Sequence, residues 1–195
     1  MLAHASSGFR RSWYAEPMTS PGRFASRRSP WGFSVPNLTV QLGAQAQTPD
    51  GRTVSVPPAI VLQQRGPVLQ ASISVLESMA KEILQQGKGV PAPKTGWAQI
   101  DTGASITCVD DGAAQELGLP PIDVVSLCSA SHGGTQANVY PVQILIPELG
   151  MSLQAPRAVG AALAVQGLLV LIGRDVLQRC TLFYNGPMGQ ITLSI

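Results

Sequence analysis

Short, closely spaced apolar runs separated by turn residues constrain the fold of this chain more than any other feature. From Phe33 onward the runs either alternate apolar and polar residues or are continuously apolar, as strands do. The 195 residues include 20 Gly and 16 Pro, which favours many turns over a bundle of long helices. The pattern predicts a mainly β protein, a closed or partly closed barrel with two or three short helices.

The predicted elements can be placed along the chain. Strands are predicted over residues 35–42, 54–56, 67–75, 97–100, 106–109, 124–128, 137–146, 152–158, 168–172, 180–184 and 190–195. Asp50-Gly51 predicts a hairpin turn between the first two of these strands. Helical spacing occurs over 75–86, with Ser74 as the expected N-cap and Gly87 just past the end. Shorter helices are predicted over 110–117 and 174–179.

Positive charge is concentrated at the start of the chain. Residues 1–31 hold five Arg and one acidic residue, whereas the remainder holds eight basic and ten acidic residues. We predict a disordered basic arm over 1–32 and one folded domain over 33–195. Because that domain is close to neutral, we do not expect a nucleic-acid partner.

The apolar segments are too short to predict a membrane protein. The longest, between Arg157 and Arg174, is interrupted by Gln166 and falls short of the ~20 residues that a spanning helix needs. The first thirty residues lack the apolar centre of a secretory signal. We therefore expect a cytoplasmic protein without a membrane partner. The Arg- and Ser-rich start also matches a mitochondrial transit peptide, which leaves that location open as the alternative.

Three cysteines, Cys108, Cys128 and Cys180, are far apart and form no CxxC pair. An odd number at such spacing does not indicate a disulfide framework. We interpret them as buried thiols in a reducing compartment, with a metal or redox role as the alternative. No metal site and no cofactor are predicted.

Asp101-Thr102-Gly103 is the stretch most informative about function. It places one carboxylate on a turn between two strand-like runs, and the chain has no second copy. A single Asp is poorly suited to act as both acid and base, whereas two Asp side chains that face each other across a twofold axis can share one proton. The tripeptide alone is weak support, because Asp-X-Gly turns are common in β-rich proteins for structural reasons.

Two further features strengthen the motif. The run Leu171-Ile172-Gly173-Arg174-Asp175 follows about seventy residues later, and a Gly-containing hairpin over 124–140 lies between the two. Together they resemble the retropepsin-like aspartic peptidases, the single-lobe homodimeric branch of the aspartic proteases. The resemblance covers residues 96–195 well and 35–95 loosely, and it implies a closed β-barrel lobe with a flap hairpin.

The resemblance implies a role for the motif in catalysis. Asp101 would meet its twin in a homodimer, and the pair would activate a water that attacks the peptide bond of a polypeptide substrate. Thr102 would hydrogen-bond across the dyad, and Gly103 would let the backbone approach the substrate. Ala104 cannot donate a hydroxyl proton to the carboxylate, so a mildly acidic pH optimum is expected.

The second motif and the hairpin would support this site. Leu171, Ile172 and Gly173 would pack behind the catalytic loop. Arg174 needs a partner other than the acidic residue used by many viral relatives, because Ser105 follows Ala104, and Asp110 is the predicted partner. The flap would carry Ser131, His132, Gly133 and Gly134 at or near its tip, where His132 either contacts substrate or is an exposed turn residue without a role.

These expectations lead to two functional hypotheses within this fold, beside a third interpretation in which the chain is an unrelated β-rich protein with a chance Asp-Thr-Gly turn. The first is an active homodimeric aspartic endopeptidase, since the acid, the Thr and the supporting Gly are all present. The second is a catalytically silent module with the same fold, used for dimerisation or peptide binding.

Overall fold

Twelve strands and four helices make up the described part of the chain, which in this computed structural model comprises residues 37–48, 50–129 and 132–194. The strands are β1 (Asn37–Gln41), β2 (Ala44–Gln47), β3 (Thr53–Val56), β4 (Val68–Val75), β5 (Lys94–Ile100), β6 (Cys108–Asp110), β7 (Asp123–Ser129), β8 (His132–Ile146), β9 (Met151–Ala161), β10 (Val170–Ile172), β11 (Thr181–Asn185) and β12 (Gln190–Ser194). The helices are α1 (Pro58–Arg65), α2 (Glu77–Gln85), α3 (Asp111–Glu116) and α4 (Arg174–Leu177), with short 3₁₀ turns at Pro147–Leu149 and Ala164–Gln166. The predicted basic arm over 1–32 lies outside the described residues and stays a prediction.

A six-stranded barrel forms the centre of the fold. Its strands follow one another in the order β4, β5, β10, β6, β9 and β8, and β8 pairs back with β4 to close the ring. Most neighbours are antiparallel, but β10 runs parallel to β5 and β6 runs parallel to β9. The prediction of a mainly β protein with a closed barrel is therefore confirmed.

The core lies inside this barrel. Strand β4 is buried along almost its whole length, whereas β12 alternates between buried and half-buried residues. The buried aliphatic side chains come from every strand of the ring and include Ile73, Ile100, Val109, Val142, Ile144, Val159, Val170 and Ile172. Their burial removes apolar area from water, and this is the main favourable term for the barrel.

Two smaller sheets lie outside the ring. Strands β1, β12 and β11 form an antiparallel sheet in that order, which confirms the predicted closing hairpin at the C-terminal end. Strands β2 and β3 form a hairpin around Asp50-Gly51, and Gly51 adopts a φ of 82° that favours glycine. The turn was predicted correctly, but the predicted pairing of the 35–42 strand with 54–56 is wrong, because β1 pairs with β12 and β3 pairs with β2, which was not predicted.

The helices agree with the prediction except at two points. Helix α2 lies within the predicted 75–86 and is followed by Gly87 at a φ of 70°, as expected. Its N-cap is Leu76 and not Ser74, because Ser74 still belongs to β4. Helix α1 was not predicted: Pro58 was interpreted as the end of a strand, but a proline is also well suited to the first helical position. No helix within the described residues is both long and apolar enough to cross a membrane.

Candidate active site

Asp101 lies at the point where the central strand β5 ends. Its N–H donates to the Ile172 carbonyl at 2.9 Å and so extends the parallel β5–β10 pairing by one residue. The chain then turns, and the Ala104 N–H donates to the Asp101 carbonyl at 3.3 Å. The carboxylate is therefore fixed to the barrel through the backbone on which it sits.

Gly103 orients the Asp101 carboxylate from within the same turn. The Gly103 N–H donates to Asp101 Oδ1 at 2.8 Å. A Cβ added to Gly103 would lie 3.0 Å from the same oxygen, so a side chain here would press against the acid. One carboxylate oxygen is thus held by the loop, and glycine at 103 avoids a tight contact with that same oxygen.

Gly173 supports this loop from behind, because the backbone there leaves no room for a side chain. An added Cβ would lie 2.6 Å from the Ile106 carbonyl carbon and 2.9 Å from the Thr107 nitrogen. Real Cβ contacts are not that short, so only glycine fits at this position. Of the three residues predicted to pack behind the loop, Ile172 and Gly173 are buried and Leu171 is half-buried, and their role in supporting a catalytic loop stays a prediction.

Thr107 and Asp175 lock the two motifs together, and sequence reasoning assigned neither of them a role. The Thr107 hydroxyl donates to Asp175 Oδ1 at 2.8 Å, and its N–H donates to Asp175 Oδ2 at 3.1 Å. The same hydroxyl accepts from the Gly173 N–H at 3.1 Å, and Thr107 is only 1 % exposed. The sequence signal that could have identified Thr107 is the presence of a threonine inside the apolar run that follows the Asp-Thr-Gly turn.

Arg174 binds the backbone of the Asp101 loop. Its Nη1 donates to the Thr102 carbonyl at 2.9 Å and to the Gly103 carbonyl at 3.2 Å, and its N–H donates to the Ala104 carbonyl at 3.0 Å. Arg174 therefore closes the loop through three consecutive carbonyls, two bound by its guanidinium and one by its main-chain N–H.

The prediction that Asp110 is the partner of Arg174 is wrong. Asp110 caps α3 by accepting from the Ala113 N–H at 3.0 Å, and its other oxygen accepts from the Ala164 N–H at 2.8 Å. Both oxygens of this buried carboxylate are thus occupied by main-chain donors, as an N-cap position demands.

The front of the loop is open in this chain. Thr102, Gly103 and Ser105 are exposed, Ile106 is 45 % exposed, and Asp101 is half-buried. The loop is therefore rigid at the back and accessible at the front.

Cys108 and Cys180 are half-buried free thiols. Burial, followed by the nearby charges of Asp175 and Asp101, raises the pKa of the Cys108 thiol. Burial likewise raises the pKa of Cys180. Both shifts favour the thiol over the thiolate, which is the nucleophilic form. The side chain of Cys128 is outside the described set.

The predicted flap hairpin is present as β7 and β8. Its register runs from Asp123 opposite Val139 to Ser129 opposite His132, with an irregularity before Ser129. Of the predicted tip residues, Ser131 lies outside the described residues, and only the strand backbone is described for His132, Gly133 and Gly134. Contact of His132 with a substrate thus stays a prediction.

Two solved structures of proteases are similar to this chain at low identity. No protein-family model matches the sequence, and no curated protein matches it. The simian foamy virus (mac) protease is similar at 19% identity and a TM-score of 0.35, over 57% of this chain and 91% of its own. A retropepsin-like aspartic protease from Rickettsia conorii is similar at 14% identity and a TM-score of 0.37, over 83% of this chain and 96% of its own.

The resemblance to retropepsin-like proteases that the sequence predicted is thus also found among solved structures. Both identities and both TM-scores are low. The chemistry of this chain therefore has to follow from its own residues.

Proposed function

We propose that this chain is an aspartic endopeptidase that works as a homodimer. One observation carries the proposal: the Asp101 carboxylate is oriented by the Gly103 N–H, held from behind by Gly173 and Arg174, and open at the front. A structural Asp-X-Gly turn needs no such support from a second motif, whereas a reacting carboxylate needs a fixed position.

The reaction follows from two such carboxylates close together. Two carboxyl groups that lie in contact share one proton, because two adjacent negative charges repel each other. The ionised Asp101 takes a proton from a water, which attacks the carbonyl carbon of the peptide. The protonated Asp101 of the second copy donates to the carbonyl oxygen, which gives a tetrahedral diol. As the C–N bond breaks, the departing amine receives the proton that the first Asp101 took from the water, and one hydroxyl of the diol returns its proton to the second Asp101. Thr102 holds the two loops in register across the axis.

A second copy is required to complete this site, and the chain offers two surfaces for it. The first is the exposed front of the loop, with Thr102 and Ile106. The second is the outer edge of β11, which has no neighbour among the described strands. Strands β1, β11 and β12 contain no charged side chain, and Phe183 is 56% exposed. An uncharged, unpaired edge favours pairing with another strand.

The substrate is a polypeptide in this proposal, and the β7–β8 hairpin covers it. Such a cover excludes water other than the attacking one and supplies strand edges to an extended peptide. No metal or cofactor takes part in the reaction.

Cleavage that depends on Asp101 is the test. The purified full chain is incubated with a peptide library at mildly acidic pH, with and without pepstatin, beside Asp101→Asn. The matched control is Asp50→Asn, which makes the same chemical change on the exposed β2–β3 turn. We expect Asp101→Asn and pepstatin each to abolish cleavage, with a rate loss of at least ~10³-fold for the variant, and Asp50→Asn to cleave normally.

Sedimentation of the same samples reports the association state. A dimer without cleavage would refute the peptidase and favour a silent module for dimerisation or peptide binding. Cleavage by a strict monomer would refute the shared pair of carboxylates.

A further inference from the structure

The β7–β8 hairpin leaves the barrel at one definite residue. Up to Val139, strand β8 pairs with β7, and from Val139 onward it pairs with β9. Val139 pairs with both Asp123 and Val159 and therefore marks the base of the hairpin. Its neighbours Asn138 and Tyr140 point to the same side of the strand, because residues two apart share a face.

A single carboxylate holds both of these neighbours. Asp111 Oδ1 accepts from the Tyr140 hydroxyl at 2.8 Å and from Asn138 Nδ2 at 3.2 Å. Asp111 Oδ2 accepts from Gln115 Nε2 at 2.6 Å, one turn along α3. We call Asp111, Asn138 and Tyr140 the hinge clamp.

The hinge clamp is packed against β9 without space to spare. Tyr140 is 1% exposed. A Cβ added to Gly160 of β9 would lie 2.6 Å from Asp111 Oδ1 and 2.9 Å from Tyr140 Cε2. Burial, followed by the hydrogen bond to Asp111, raises the pKa of Tyr140, so its hydroxyl stays a donor. Because the packing is this tight, the side chains of the clamp have room for only one arrangement.

The hinge clamp is tied to the candidate active site by a short rigid path. Thr107, which locks the Asp101 loop, is followed directly by β6, and β6 is followed by Asp111. A second side-chain contact at the hairpin base is the Arg157–Asp123 ion pair at 2.5 Å, whose side chains are about half exposed. Exposed ion pairs contribute little, so the clamp is the stronger of these two side-chain contacts.

We propose that Asp111 is a positioning residue for the β7–β8 hairpin: through Asn138 and Tyr140 it fixes where the hairpin leaves the barrel relative to Asp101. The consequence for catalysis rests on the proposed peptidase function, because it assumes that the hairpin covers a peptide. The consequence for the hairpin itself does not depend on any activity.

Amide hydrogen exchange of the full chain tests the proposal directly. Asp111→Ala removes the acceptor of the clamp. We expect the exchange rates of amides at residues 122–126 and 135–139 to rise about tenfold, because the hairpin loses the stabilisation from the charge-assisted hydrogen bonds to Asp111. The exchange rates of amides in β5 and β10 should stay within about twofold of their values in the unchanged protein. Asp111→Asn keeps an acceptor oxygen and should restore most of the protection.

Two further variants keep the test decisive. Tyr140→Phe removes one donor and keeps the ring, so it should give a smaller rise at the same residues even where Asp111→Ala does not fold. Glu116→Gln is the matched control, since it neutralises an exposed carboxylate on the same helix. Unchanged exchange in the hairpin, or an equal rise across the barrel, would overturn the proposal.

Kinetics with a cleaved peptide separate this inference from the proposed function. For Asp111→Ala we expect KM to rise about tenfold while kcat changes little, because an unfixed hairpin weakens binding more than chemistry. A rise in exchange without a change in KM would show a purely structural clamp and overturn the positioning role. Absence of any Asp101-dependent cleavage would refute the peptidase, and the exchange result would still decide whether Asp111 fixes the hairpin.

Discussion

Thr107→Val probes the lock between the two motifs with little change of shape. The hydroxyl of this buried residue makes two hydrogen bonds, one to Asp175 Oδ1 and one from the Gly173 N–H. Valine keeps the branched shape and removes both bonds. The backbone N–H of residue 107 still donates to Asp175 Oδ2, so the carboxylate keeps part of its coordination.

The cost can be worked from the two lost bonds. Asp175 is exposed, so water replaces the lost donor and this loss falls near the low end for charged groups, about 1.5 kcal/mol. The Gly173 N–H is buried and left without its acceptor, which costs roughly another 1.5 kcal/mol. The free energy of unfolding should therefore fall by about 3 kcal/mol, or about 6–12 °C in Tm for a chain of this size.

Urea and thermal unfolding measure this loss, with two comparison variants. Thr107→Ser retains the hydroxyl and loses only a methyl group, so it should cost about 1 kcal/mol. Thr181→Val changes an exposed threonine in β11 and should stay within about 0.5 kcal/mol of the unchanged protein. A loss below about 1 kcal/mol for Thr107→Val, or an equal loss for Thr107→Ser, would refute the assignment of the stability to these two bonds.

Two further predictions concern pH. Ala104→Ser adds a hydroxyl to the Asp101 loop as a donor to the ionised carboxylate, so the acidic limb of the pH–rate profile should move to lower pH, and an unmoved profile would contradict this. The hydrogen bond from Arg157 holds the pKa of Asp123 below its ordinary value of 3.8, so that pair stabilises the fold above pH 3.8 and the contribution is lost as pH falls further. Arg157→Gln should therefore lower Tm slightly at pH 7 and pH 5 and make no difference near pH 2; a Tm difference that persists near pH 2 would contradict the assignment.

Local sequence patterns were enough to predict most of the elements. Alternation predicted the strands of the barrel, and Asp50-Gly51 predicted its hairpin turn, because both signals depend on neighbouring residues alone. The missed helix α1 shows the limit of such signals. Pro57-Pro58 ends a strand and begins a helix equally well, and only the packing of Val61 and Leu62 into the core decides between the two.

The candidate site was predicted in its parts and not in its connections. The Asp-Thr-Gly turn and the Leu-Ile-Gly run were both identified from sequence. The partner assigned to Arg174 was wrong, because the actual carbonyl partner, Thr102, is 72 residues away in sequence. Thr107 and Asp175 are 68 residues apart, and no pattern within either motif indicates that they meet.

By itself, the sequence determined which segments are strands and which residues are candidates for the site, because residue type and periodicity act over a few positions. The tertiary structure decided which carbonyls Arg174 binds, why residue 173 has to be glycine, and how Asp111 reaches the base of the hairpin. These contacts form only when the barrel closes and brings distant strands within hydrogen-bond distance, so their partners cannot be read from local sequence.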